Sequence, residues 1–259
     1  MRLALLLSTL VLLSQVPAPI GGYKASIVVF AVESSTQAYE VFKPYLSQMQ
    51  LWACEPDEWS DRWNHVYYGD EGDLPAIVEY YYVRAAEHLR RNELEKASRY
   101  LAYALSYLLD AYNPFNTHPD ADQGLAERYR EFLDANIESM LSRLDSSSLE
   151  VETKSPREIV EEGARLSRRL YPELEEVLRK GDYEMVYEIA FSLVEASVEG
   201  CLSLISQLPL SALERALNTP MLREVFYASL AVMAASAAYI AYQKATREEE
   251  AEVIPSNLP

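Results

Sequence analysis

The sequence predicts an all-α protein, a single multi-helix bundle, on three observations. Only 8 glycines occur in 259 residues, while alanine, leucine and glutamate are abundant, a composition that favours helix. Apolar residues return every three or four positions through most of the chain, which gathers them on one face of each helix. One stretch alone, residues 26–32 (SIVVFAV), reads as a β-strand, and it is too short and isolated to found a sheet. With 49% hydrophobic and 24% charged residues, the chain carries enough apolar material for one large core.

Taken in order, residues 1–22 read as a signal peptide: Arg2 supplies the positive end, residues 3–13 an apolar stretch too short to span a bilayer comfortably, and residues 15–22 a polar segment with proline and glycine. Cleavage is expected near Gly22, and the mature chain is expected to be secreted or extracytoplasmic. An uncleaved N-terminal anchor is the competing reading. From Ser35 the pattern turns helical, with Tyr39, Phe42, Tyr45 and Leu46 on one face. Residues 52–75 form a loop holding Trp52, Trp59 and Trp63 among Asp57, Asp61, His65, Asp70 and Asp73, a mixture that suggests a packed functional loop.

Residues 75–91 read as the next helix. Asn92 with Glu95 looks like a capping pair that opens another, whose apolar face is Leu94, Ala97, Leu101, Ala104, Leu105 and Leu108. It ends at Asn113, because the residue before Pro114 avoids helical geometry. Residues 124–144 form a helix with Leu125, Tyr129, Phe132, Ile137, Met140 and Leu144 inward. A polar connector, 145–155, precedes the start signal Ser155-Pro156-x-Glu158. The helix that follows is expected to kink at Tyr171-Pro172 and end at Gly181. Residues 182–207 and 211–244 complete the bundle, so that the helical domain covers 23–245 and an acidic, disordered tail covers 246–259. Residues 225–242 (VFYASLAVMAASAAYIAY) carry no charge. Their richness in alanine, serine and tyrosine favours a buried helix of the bundle over a membrane anchor.

A net charge of −17 repels phosphate backbones, so no nucleic-acid partner is expected. Cys54 and Cys201 are free to pair in an oxidising compartment or to stay as buried thiols. The chain has no glycine-rich phosphate loop and no serine or cysteine placed with a histidine as a nucleophile. The 19 tyrosines read as interhelical packing residues with polar tips, and His88, on a charged helix, as solvent-facing.

The most informative string is YLAYALSYLLDAYNPFN, residues 100–116. It resembles the central motif of the zinc-dependent phospholipases C and the related zinc-dependent single-strand nucleases. There a helix carries a metal-binding His, an Asp four residues on, a Pro four beyond and a second His two beyond that. Asp110 and Pro114 match, while Ser106 and Asn116 stand at the two histidine positions. QGLAERYREFLD resembles the following segment, where the family supplies a His and a Glu and this chain has Ala126 and Arg130. EPDEWSDRWNHVYY resembles the upstream loop, with Asp57 and His65 at its Asp and His. The family also uses an N-terminal residue and an early His, and no His stands near residues 33–36. The likeness covers residues 35–205, firmest over 55–134.

The resemblance implies a helical scaffold that hydrolyses phosphodiesters through zinc-activated water. The substitutions cut against that chemistry. Hydroxyl and amide oxygens replace imidazole, and Arg130 puts a fixed positive charge where the family places a carboxylate. At most one zinc is expected, on Asp57, His65 and Asp110, with His118 as a remote fourth ligand. The favoured expectation is an exported, catalytically degenerate domain acting as a binding or structural protein. Its cleft would take a phosphate-bearing small molecule or a lipid headgroup, or be filled by Arg130 reaching Asp57 or Asp110. One alternative is an active zinc-dependent phosphodiester hydrolase with Asp57 as general base. The other is a membrane-anchored, partner-binding helical protein. Each site residue also has a plain reading: Asp110 as an ion-pair or backbone acceptor, His65 as a packing residue, Asp57 as a turn or N-cap residue.

Overall fold

Every regular element among the described residues is helical, as the sequence predicts. The computed structural model describes residues 22–69, 71–211, 224 and 227–238. The leader through residue 21, Asp70 and the tail 246–259 lie outside these residues. Helix α1 spans Gly22–Ser34, α2 Thr36–Phe42, α3 Leu46–Trp52, α4 Leu74–Arg90, α5 Leu94–Ala111, α6 Pro114–Thr117, α7 Gln123–Arg143, α8 Pro156–Lys180 and α9 Tyr183–Ser206.

The run 26–32 is not a strand but the middle of α1. Its Ile27 and Val28 favour extended backbone locally, yet no strand is present among the described residues to pair with it. Instead α1 lies against α3, α7 and α9, burying Tyr23, Ala25, Ile27, Val28, Ala31 and Val32. A helix enclosed on several sides is apolar all round, so it carries no readable 3.6-residue period.

The most extensive pair is α4 with α5. The turn between them corrects the capping expectation: Asn92 sits in the left-handed region at φ 58°, which asparagine tolerates, and Glu93 is the residue that starts α5. Helix α5 runs through the centre of the bundle, buried from Leu101 to Ala111. Beyond it, Tyr112 wedges its ring between two glycines, where a Cβ on Gly163 of α8 would lie 2.8 Å from the ring and one on Gly200 of α9 2.4 Å from the hydroxyl. Asn113 then caps α6 by accepting from the Phe115 amide at 3.0 Å. The capping box at Ser155 and Glu158 is formed, Pro172 lies inside a continuous α8, and Gly181 at φ 73° ends it. No disulfide joins Cys54 and Cys201.

The chain divides after Leu210 into two compact units, where the sequence reading draws a single domain to 245. The first unit's core closes on Leu208 and Leu210, its helices having covered one another's apolar faces. In the second unit, helix α10 (Tyr227–Ala238) is exposed at every residue. The expectation of a buried helix at 225–242 is therefore overturned for the part described.

Between the site loop and α4, the chain turns back at Gly72, φ 102°, where a Cβ would stand 2.0 Å from the Val66 carbonyl oxygen. The turn fixes the strip that follows His65, whose Tyr67 amide donates to the Asn116 carbonyl at 3.1 Å. Gly72→Ala is accordingly expected to destabilise the protein by about 2–4 kcal/mol, read as a lower midpoint in urea unfolding.

Candidate functional site

Four elements meet at the site, the C-terminal end of α5 and three that converge on it. Two 3₁₀ turns, Glu55–Glu58 and Arg62–His65, carry Asp57 and His65 over Asp110. One potential ligand atom from each of these three residues lies within 4.8 Å of the others. The fourth element, α1, brings Lys24. Its ammonium donates to Asp57 Oδ1 at 2.6 Å and pairs with Asp110 Oδ1 at 2.8 Å. Lys24 is 5% exposed and Asp110 1%.

Asp110 is fully engaged. Oδ1 also accepts from Asn116 Nδ2 at 2.6 Å, and Oδ2 accepts from His65 Nδ1 at 2.8 Å. The other ring nitrogen of His65 lies 3.1 Å from the Pro56 carbonyl oxygen and 3.3 Å from Asp61 Oδ1. Both nitrogens thus face oxygen acceptors, the arrangement of a doubly protonated imidazolium. Asp61 is held by the Tyr107 hydroxyl at 2.6 Å and Asn64 Nδ2 at 2.8 Å, and the His65 ring packs 4.7 Å from that of Tyr107.

The electrostatics follow from these contacts. Burial opposes the charge on Lys24, but the carboxylates of Asp110 and Asp57 outweigh it and hold the lysine well above its ordinary range. Burial likewise opposes a charged His65, and the hydrogen bond to Asp110 more than compensates, raising its pKa. For Asp110, burial pushes upward while Lys24 and His65 pull the pKa below the usual carboxylate value. Two cations, Lys24 and His65, thus lie among three carboxylates, of which Asp110 is buried and Asp57 is open to solvent.

The cluster floors a cleft of about 650 Å³ lined further by Trp59, Arg62, Asn116, Ala126, Glu127 and Arg130. Arg130 is exposed and does not reach Asp57 or Asp110, whose partners are Lys24, His65 and Asn116; the ammonium fills the position that the sequence reading offered to the guanidinium. Ser106 is buried, its hydroxyl donating to the Ala53 carbonyl oxygen at 2.7 Å. His118 stands outside the group: its ring stacks on Tyr171 at 4.2 Å and its Nδ1 is buried without a hydrogen-bond partner. His88 is not solvent-facing either. It stacks flat on Tyr100 at 5.2 Å, with Nδ1 2.7 Å from Glu93 Oε2, because the turn at Asn92 folds Glu93 back towards it.

Sequence reasoning missed Lys24. Its signal is present all the same: it is the sole charged residue in residues 23–32, and a cation inside an apolar helix requires a buried anion.

No family model matches the chain, and no curated protein does. Among solved structures it is similar to a crystal structure of Clostridium perfringens alpha-toxin isolated from an avian strain, at 16% sequence identity and a TM-score of 0.49. The likeness covers 73% of this chain, which spans 64% of the toxin's length.

The cluster links stability to pH. His65 has a raised folded pKa, so its contribution is complete below its ordinary value of 6.5 and is lost as pH rises through the folded value. Asp110 has a lowered one, so its contribution is present above 3.8 and is lost as pH falls through the folded value. Melting temperatures across roughly pH 4–9 should hold in mild acid and decline above neutrality. His65→Gln should flatten the alkaline decline, and an unchanged slope would show that His65 is not the charged partner of Asp110.

Proposed function

We propose that this chain is an exported, non-hydrolytic protein built on a phospholipase C-like helical scaffold, and that its cleft binds a phosphate-bearing group without a metal. The observation that carries the reading is the Lys24 ammonium at 2.6 and 2.8 Å from the carboxylates of Asp57 and Asp110.

A zinc ion does not fit this donor set. It would need the same carboxylate oxygens at about 2.1 Å and a lone pair from neutral imidazole. Those oxygens already hold an ammonium, and neither nitrogen of His65 points a lone pair into the cleft. Zinc beside Lys24 would also face its charge in a poorly screened site. The resemblance that offered Asp57, His65 and Asp110 as ligands thus leads to a position where the chain supplies its own cation. Asp57 is likewise a poor general base, being committed to Lys24.

Binding is supported by the charges that remain. Arg62 and Arg130 are exposed and line the cleft, and guanidinium is suited to grip phosphate with two parallel hydrogen bonds. Lys24 and His65 offset much of the acidic floor, which favours an anion beside Arg62 and Arg130 on a chain of net charge −17. Trp59 and Phe115 line it with apolar surface. The ligand class is a phosphate-bearing small molecule or lipid headgroup.

Protein purified without chelator and dialysed against zinc should retain almost none and should not hydrolyse a chromogenic phosphodiester above buffer. Lys24→Ala, which leaves two carboxylates without their cation, should gain zinc affinity. Stoichiometric zinc in the wild type, lost in Asp110→Ala and accompanied by turnover, would reverse the reading. For the ligand, Arg130→Glu is expected to weaken binding of a phosphate monoester about tenfold by calorimetry, near 1.4 kcal/mol; unchanged affinity would place the anion elsewhere.

A further inference from the structure

The cleft carries more chemistry than its two guanidinium groups. Gln123, Glu127 and Arg130 stand three or four residues apart on α7 and all line it, so they form a row along one face of the helix. At 1.5 Å per residue the row is about 10 Å long. All three residues are exposed, and their side chains make no hydrogen bond or ion pair among the described residues. Elsewhere the exposed guanidinium groups of Arg84, Arg99 and Arg179 are spent on Glu87, Glu55 and Glu175.

The order of the row selects a ligand. Phosphate alone does not suit a carboxylate three residues from Arg130, because like charges repel. Glu127 calls for donor groups on the same molecule. A carboxylate only accepts hydrogen bonds, whereas the Gln123 amide both donates and accepts. Hydroxyls answer both; an ammonium answers only the carboxylate, and a benzene ring answers neither. Trp59 supplies a flat surface, lining the cleft with 37% of its own surface exposed. Its ring is gripped by Tyr103 at 5.1 Å and by Tyr81 and Tyr107 at 6.4 Å, which sets its orientation before a ligand arrives. The C–H face of a sugar ring packs on such a surface.

We infer that the cleft binds a sugar phosphate, its phosphate at Arg62 and Arg130, its hydroxyls on Glu127 and Gln123, and its ring against Trp59. The inference rests on the anion-binding reading of the same cleft and narrows it to a polyhydroxylated ring. A cleft of about 650 Å³ falls within the range of small-molecule sites. The space behind it argues against a lipid. The adjoining apolar cavity shares Tyr23 and Asn113 with the cleft and runs on to Leu109, Leu133 and Leu193, yet its volume is about 20 Å³. That is room for about one water molecule and no acyl chain.

The test is calorimetry on the full chain with the 6-phosphates of glucose, galactose and mannose. Inorganic phosphate, phenyl phosphate, phosphocholine and dihexanoyl phosphatidic acid are the competing probes. At least one hexose phosphate should bind about tenfold tighter than inorganic phosphate, and tighter than the other three. Trp59→Leu and Glu127→Ala should each remove most of that advantage without weakening inorganic phosphate. Trp59→Phe, which keeps a ring, should retain it and guards against a loss of folding in Trp59→Leu. No preference for any hexose phosphate over inorganic phosphate overturns the inference and leaves the anion reading standing. If inorganic phosphate and every organic phosphate fail to bind, the anion reading falls and takes the inference with it. Tighter binding of any of the other three probes overturns the inference, as does an undiminished advantage in both Trp59→Leu and Glu127→Ala.

Discussion

A carboxylate enclosed in protein must have a cation beside it, and nearly every feature of the first unit near its cleft answers to that constraint. Asp110 lies at the end of the most buried helix, with 1% of its surface in contact with water. Leaving such a group ionised and unpaired costs several kcal/mol. Lys24 meets the need with a fixed, covalently attached charge, and His65 and Asn116 saturate the remaining lone pairs. The arrangement also explains why α1 sits deep in the bundle. The sole charged residue of its apolar run has to reach the end of α5, and the helix can do so only by packing between α3, α7 and α9.

The same constraint bears on the chemistry. Asp57, His65 and Asp110 converge as a metal site requires, so convergence by itself does not separate a metal centre from an ion-pair cluster. Protonation does. A ligand histidine turns a lone pair inward, whereas His65 directs both nitrogens at oxygens. An ion bound from solution is in exchange and can be removed by a chelator; an ammonium on the chain is neither. What results is a floor of paired charges beneath two exposed guanidinium groups, the arrangement on which the proposed anion-binding reading rests.

Much of this was legible in the sequence. Helical spacing and start signals located the later helices, because each buries one face and leaves the other in water. Asp57, His65 and Asp110 were picked out by the resemblance of residues 55–68 and 100–116 to the motifs of the zinc-dependent phospholipases C, and they do meet. Legibility failed where the surroundings, not the segment, set the outcome. Residues 26–32 looked like a strand because a helix buried on several sides has no polar face to reveal its period. Lys24 was passed over because its partners lie 33 and 86 positions away along the chain. His88 looked exposed on its own helix and is covered by a ring from the next. Residues 225–242 looked like core because composition cannot say whether an apolar surface is covered, and the described part, 227–238, is exposed.

The central claim, that an ammonium holds the cation position, is tested most directly by anomalous diffraction at the zinc edge from crystals soaked in zinc at neutral pH. The account predicts continuous density for Lys24 between Asp57 and Asp110 and no anomalous peak beside them. A peak at coordination distance from Asp110, with Lys24 displaced, would contradict it.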